Sequence, residues 1–95
     1  MSNTLFDLTG RVALVTGGNT GLGQGIALAL AKAGADIAVA GIVPAEDTAA
    51  QVRALGRRFI DIQANLMSVE PIPRIVEETL SGLGRLDILV NNAGL

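Results

Sequence analysis

Four short apolar runs alternate with three stretches in which apolar residues recur every three or four positions. Val12-Ala13-Leu14-Val15 is the first run, preceded by Leu8 and Gly10-Arg11, and an unbroken apolar run of this length predicts a strand buried on both faces. From Gly21 to Ala33, Leu22, Ile26, Leu30 and Ala33 fall at helical spacing, with Gly34 as the stop. Asp36 to Ala40 predicts a second strand and Gly41 to Pro44 its loop. Pro44 then starts a helix through Ala49, Val52 and Leu55 that Gly56 closes. Arg58 to Ile62 predicts a third strand, with Ala64-Asn65-Leu66 as the loop after it. A third helix begins near Glu70 or Pro71, which places Pro71 and Pro73 in a first turn where the missing N–H has no intrahelical partner anyway. Ile72, Ile75, Val76, Leu80 and Leu83 share one face of it, Gly84 ends it, and Leu86 to Val90 predicts the fourth strand.

Strand and helix therefore alternate, with crossovers long enough for βαβ units. The expected fold is α/β, a doubly wound parallel sheet of Rossmann type. With right-handed crossovers its four strands lie in the order 3-2-1-4, an incomplete sheet. In such sheets ligands bind beyond the carboxyl ends of the strands. Four loops leave those ends: Thr16 to Gly23, Gly41 to Pro44, Ala64 to Leu66 and Asn91 to Gly94. The opposite edge carries helix stops and tight turns. Arg57 and Arg58 lie there, too far from the cleft to hold a ligand phosphate, and Asp36 lies at the start of its strand rather than the end.

Composition narrows the chemistry. Of 95 residues, 49% are apolar and 2% aromatic, so Ala, Val, Ile and Leu must build the core. A formal net charge of −2 with scattered arginines gives no basic field for nucleic acid or an acidic membrane, and neither partner is expected. Cysteine and histidine are absent, which removes disulfides, thiolate and imidazole metal ligands and the commonest general base; no metal site is expected. No basic segment leads into a long apolar run near the start, so a cytoplasmic location is the default.

The first of the four loops carries the most specific signal. In Thr16-Gly17-Gly18-Asn19-Thr20-Gly21-Leu22-Gly23, Gly17 turns the chain out of the strand, Gly21 lets a pyrophosphate approach the backbone, and Gly23 lets the helix pack close to the strand. The helix N-terminus then offers unpaired N–H groups and a partial positive charge. Asn19 and Thr20 can donate to phosphate or ribose, or serve as polar turn formers.

The spacing T-G-x-x-x-G-x-G, followed by Asn91-Asn92-Ala93-Gly94 after the fourth strand, resembles the short-chain dehydrogenase/reductase family in its compact single-domain branch, from Leu8 to the end of the chain. The resemblance implies that residues 1–95 are the N-terminal dinucleotide-binding part of a single-domain Rossmann fold whose C-terminal catalytic part is absent. It implies that Gly17, Gly21, Leu22 and Gly23 hold the pyrophosphate with Asn19 and Thr20 beside it. Gly41 and Ile42 lie at the end of the second strand, where the ribose is read. Asn65 and Leu66 fall at the adenine, Asn65 in place of the usual Asp, and Asn92, Ala93 and Gly94 follow the cofactor ribose while Asn91 fixes the strand end. Gly41 stands where NAD-preferring relatives often carry Asp, and no Arg or Lys stands at 18 to 20 or 41 to 43 to bind a 2′-phosphate; NAD is favoured over NADP. Glu46 and Asp47 are alternatives for the ribose, or simply complement the helix dipole.

The segments Thr20 to Gly25, Ala54 to Phe59 and Leu86 to Leu95 resemble family members that oxidise sugar acids, which implies a small sugar-acid substrate and a homo-oligomer for the full-length protein. The family's reaction needs Tyr, Lys and Ser. This chain has no tyrosine and a single lysine, Lys32, inside the first helix, so no catalytic residue is assigned and the 95 residues alone are expected to be inactive. A noncatalytic dinucleotide-binding module or sensor is the alternative, and a fragment that binds nothing a third. A free 95-residue chain would leave its fourth strand without an outer neighbour and is expected to be marginally stable or self-associating.

Overall fold

The structure, a computed structural model, describes residues 7–18, 21–66 and 71–92. Among them the elements run β1 (Val12–Thr16), α1 (Gly21–Lys32), β2 (Asp36–Gly41), α2 (Glu46–Ala54), β3 (Phe59–Gln63), α3 (Ile72–Leu83) and β4 (Ile88–Asn91). The strands form one parallel sheet in the order β3-β2-β1-β4, as the alternation of elements predicts.

Alternation along β1 and β2 shows why both strands are apolar throughout. Ala13, Val15, Ile37 and Val39 point to one face, into a cluster with Ala27, Ala31, Ala49 and Val52 of α1 and α2. Val12, Leu14, Ala38 and Ala40 point to the other, into a cluster with Ile62 of β3 and Ile75 and Leu83 of α3. Each central strand is thus buried on both sides, the usual state of a strand in a parallel sheet. The three stops at Gly34, Gly56 and Gly84 all have positive φ.

Three details of the helices differ from the sequence reading. The face of α1 that presses on the sheet is Gly23, Ala27 and Ala31, one position along from the expected row, and Leu22 is 74% exposed. Small residues let the helix axis come close, while Leu28 and Leu30 pack at its flanks. Pro44 lies before α2 rather than in its first turn, since Ala45 is the N-cap. In α3 the buried row is Ile75, Thr79 and Leu83, and Ile72 and Leu80 are exposed. A threonine takes a buried position because its hydroxyl donates to the Ile75 carbonyl at 2.8 Å, which removes the cost of burying it.

The amino edge of the sheet is closed by charge. Asp36 accepts from the backbone N–H and Nε of Arg58, at 2.8 and 3.0 Å, and Arg58 Nη2 donates to the Leu83 carbonyl, so this arginine ties β2, β3 and α3. Arg57 Nε donates to the Ala31 carbonyl near the end of α1. Both arginines therefore serve the edge away from the cleft.

Asp87 does the same for β4. Its Oδ2 accepts from the Val12 N–H at 2.9 Å and from Arg85 Nε at 2.8 Å, and Arg11 Nη1 lies 3.5 Å from its Oδ1. The Arg85 bonds first, and the Val12 N–H second, hold its carboxyl below the ordinary carboxylate value. A carboxyl lowered by folding contributes stability above its unfolded value of about 3.9, and that contribution is lost as pH falls through the folded value. Asp87→Asn is therefore expected to flatten the loss of stability between about pH 5 and pH 2, read as thermal midpoint against pH. A variant with the same acid limb as the parent would show that the Asp87 cluster does not contribute.

Candidate functional site

The parallel register brings the carboxyl ends of the strands to one edge. Thr16 is level with Ala40 on one side and Asn91 on the other, and Gly41 is level with Gln63. The loops that leave these residues are stitched together by backbone bonds. Gly17 N–H donates to the Ala40 carbonyl at 2.8 Å, and Ala64 N–H donates to the Gly41 carbonyl at 2.9 Å.

Thr16 ties the ends of β1 and β4. Its hydroxyl oxygen accepts from the Asn92 N–H at 2.9 Å, and the hydroxyl lies 3.1 Å from Asn91 Oδ1 and 3.3 Å from the Val90 carbonyl as a donor. The Asn92 side chain completes the tie, its Nδ2 donating to the Gly17 carbonyl at 3.2 Å. The two polar segments of the sequence, the glycine turn and the asparagine pair, are therefore in direct contact.

α1 begins at Gly21, and its first turn carries no acidic residue. The N–H groups of this first turn and the positive end of the helix dipole lie at the cleft edge of the sheet. Gly21 has φ +59° and open space where a Cβ would project. Gly23 is the opposite case: a Cβ there would lie 2.0 Å from the Gly17 carbonyl oxygen and 2.5 Å from Asn92 Nδ2. The start of the helix rests on the turn itself. Bare backbone, open space at Gly21 and a helix N-terminus with no acidic residue in its own first turn fit an anionic pyrophosphate.

The remaining expected residues are distributed along the same edge. Gly41 is buried at the end of β2, and Ile42 and Val43 after it are 63% and 58% exposed. Asn65 is exposed after β3, whereas Leu66 packs partly against the cluster on the α3 face. Asn19, Thr20, Ala93 and Gly94 lie outside the described residues. The Asp47 carboxylate accepts from Gln24 Nε2 of α1 at 2.9 Å and from Gln51 Nε2 at 3.1 Å, so it bridges two helices.

Several residues that support the site escaped the sequence reading. Gly18 is buried over Val39, whose Cγ2 would meet a Cβ at 2.8 Å. Thr48 of α2 donates its hydroxyl to the Gly18 carbonyl at 2.8 Å. Asp61 of β3 accepts from the Ala45 N–H at 2.8 Å and so caps α2 from a neighbouring strand. All three act across 16 or more residues of sequence, beyond any local pattern. A threonine amid the buried face of α2, and an aspartate inside β3, were the signals available.

Among the described residues, no group of three or more His, Cys, Asp or Glu could hold a metal ion, and no helix is long and apolar enough to cross a membrane.

Residues 11–95 match the family model described as short chain dehydrogenase. The chain is 52% identical over 90 residues to the 2-dehydro-3-deoxy-D-gluconate 5-dehydrogenase of Escherichia coli K12, covering 95% of this chain and 36% of that protein. It superposes on a dehydrogenase/reductase from Sinorhizobium meliloti 1021 with a TM-score of 0.89 at 38% identity, over 95% of this chain and 37% of that one. It superposes on carveol dehydrogenase from Mycobacterium avium in complex with NAD with a TM-score of 0.86 at 33% identity, over 94% and 37%. The chain thus spans little more than a third of the length of these proteins.

Proposed function

Because the chain belongs to the short-chain dehydrogenase family, we propose that residues 1–95 are the N-terminal, dinucleotide-binding part of an NAD-dependent oxidoreductase that acts on a sugar acid. The observation that carries the reading is the seat of α1 on the glycine turn, where Gly23 lies against the Gly17 carbonyl and Asn92 donates to that same carbonyl. Both contacts hold bare backbone at the mouth of a helix dipole.

In this reading Gly17, Gly21, Leu22 and Gly23 border the pyrophosphate, with Asn19 and Thr20 beside it. Gly41 and Ile42 border the adenosine ribose, Asn65 and Leu66 the adenine, and Asn92, Ala93 and Gly94 follow the cofactor ribose. When bound, the nicotinamide supplies hydride chemistry at an alcohol or ketone carbon. These residues bind and orient; none of them is assigned proton transfer. NAD is preferred over NADP because positions 18 to 20 and 41 to 43 carry no Arg or Lys for a 2′-phosphate. The sugar acid is supported by the name of the Escherichia coli relative. The reading also carries forward a homo-oligomer and a cytoplasmic location.

The test is calorimetric titration of NADH and NADPH into the full-length protein that contains residues 1–95, followed by NADH oxidation with a panel of keto sugar acids; residues 1–95 alone are expected to show no turnover. Tighter binding of NADH than NADPH, together with turnover of a keto sugar acid, is expected. Binding without turnover on any of them would favour a noncatalytic dinucleotide-binding module. Absence of heat with both nucleotides would overturn the site.

A further inference from the structure

A buried hydroxyl on a helix needs an acceptor, and the two buried threonines among the described residues find theirs differently. Thr79 turns back on its own helix, to the Ile75 carbonyl one turn earlier. Thr48, fully buried in α2, reaches across 30 residues of sequence to the Gly18 carbonyl at 2.8 Å. Its partner lies in the glycine turn rather than in secondary structure.

Two successive peptide carbonyls of that turn, those of Gly17 and Gly18, each accept from a side chain. A carbonyl oxygen aimed at a pyrophosphate would repel it, so a turn that binds anions must direct its oxygens elsewhere and leave the cleft to N–H groups. The Gly17 oxygen is taken by Asn92 Nδ2 at 3.2 Å, and the Gly18 oxygen by Thr48 Oγ1. Val39, 2.8 Å from where a Gly18 Cβ would sit, closes the space beneath. Among the described residues, the hydroxyl of Thr48 is the side-chain donor that holds the Gly18 oxygen turned into the protein.

We infer that Thr48 is a positioning residue for the pyrophosphate-binding turn, its hydroxyl holding the Gly18 carbonyl away from the anionic ligand. The inference rests on the dinucleotide reading of the site and adds to it a control point on a different helix. Without that donor, the buried oxygen regains a partner only by rotating its peptide toward water in the cleft, which places a partial negative charge beside the phosphates.

The test compares Thr48→Val, Thr48→Ser and Thr48→Ala in the full chain, with thermal midpoints and calorimetric affinities for NADH, ADP-ribose and adenosine. Thr48→Val keeps the shape and loses the donor; it is expected to weaken NADH and ADP-ribose by about tenfold while adenosine, which has no phosphate, changes by less than about twofold. Thr48→Ser is expected to restore NADH affinity to within about twofold of the parent. Should Thr48→Val not fold, Thr48→Ser and Thr48→Ala carry the same contrast, since they differ only in the hydroxyl oxygen. A folded variant without the hydroxyl that binds NADH as the parent does overturns the inference, and so does an equal loss for adenosine. A parent chain that binds neither NADH nor ADP-ribose overturns instead the dinucleotide reading beneath it.

Discussion

Gly23→Ala is expected to lower the stability of the protein by about 3 kcal/mol and to raise the NADH dissociation constant by about 100-fold. On an ordinary helix the same change stabilises, because alanine exceeds glycine in helix propensity by about 1 kcal/mol. Here the new methyl would sit 2.0 Å from the Gly17 carbonyl oxygen and 2.5 Å from Asn92 Nδ2. The first neighbour is backbone, and it cannot turn aside like the end of a flexible side chain. Relief requires the start of α1 to lift off the turn, which separates the helix N-terminus from the loop it serves. Overpacking therefore outweighs propensity. Gly25→Ala is the control: a Cβ there meets nothing within 4 Å, and the variant is expected to gain up to about 1 kcal/mol with unchanged NADH affinity. Thermal midpoints and NADH titrations of the pair decide the matter. Equal behaviour of the two variants would show that the close approach at Gly23 is unimportant.

Ile42→Arg is expected to shift the ratio of NADPH to NADH affinity by about tenfold or more in favour of NADPH. Ile42 is 63% exposed immediately after β2, so a longer side chain is accommodated at a cost within about 0.5 kcal/mol. Guanidinium pairs with phosphate in a bidentate fork, and the parent loop offers no cation at positions 41 to 43. The measurement is the pair of dissociation constants, with Ile42→Leu as a neutral control. An unchanged ratio in Ile42→Arg would place the ribose away from this loop.

Much of the fold was legible because parallel sheets impose a simple code. A strand covered on both faces must be apolar at every position, as Val12 to Val15 is, and a glycine with positive φ marks each helix end. The glycine turn was legible for a related reason: its chemistry requires missing side chains, and missing side chains are visible in a sequence. Two of the three differences, in α1 and α3, share one cause. The apolar rows chosen for α1 and α3 favoured large residues, Leu22 and Leu80 among them, whereas the sheet selected the small row Gly23, Ala27, Ala31 and the mixed row Ile75, Thr79, Leu83. Periodicity ranks faces by hydrophobicity; close approach ranks them by size.

The sequence alone thus determined the order of elements, the 3-2-1-4 sheet and the edge on which the glycine turn and Asn92 would lie. These follow from local propensity, βαβ handedness and the period of apolar residues, all short-range properties of the chain. Tertiary structure alone decided how that edge is held: Thr16 to the Asn92 N–H, Asn92 to the Gly17 carbonyl, Thr48 to the Gly18 carbonyl and Asp61 to the Ala45 N–H. Each is a hydrogen bond between residues far apart in the chain, and its partner is a backbone group common to all residues, proline's missing N–H aside. A side chain can be read from a sequence, but which distant carbonyl or N–H it meets is set only when the strands and helices are packed.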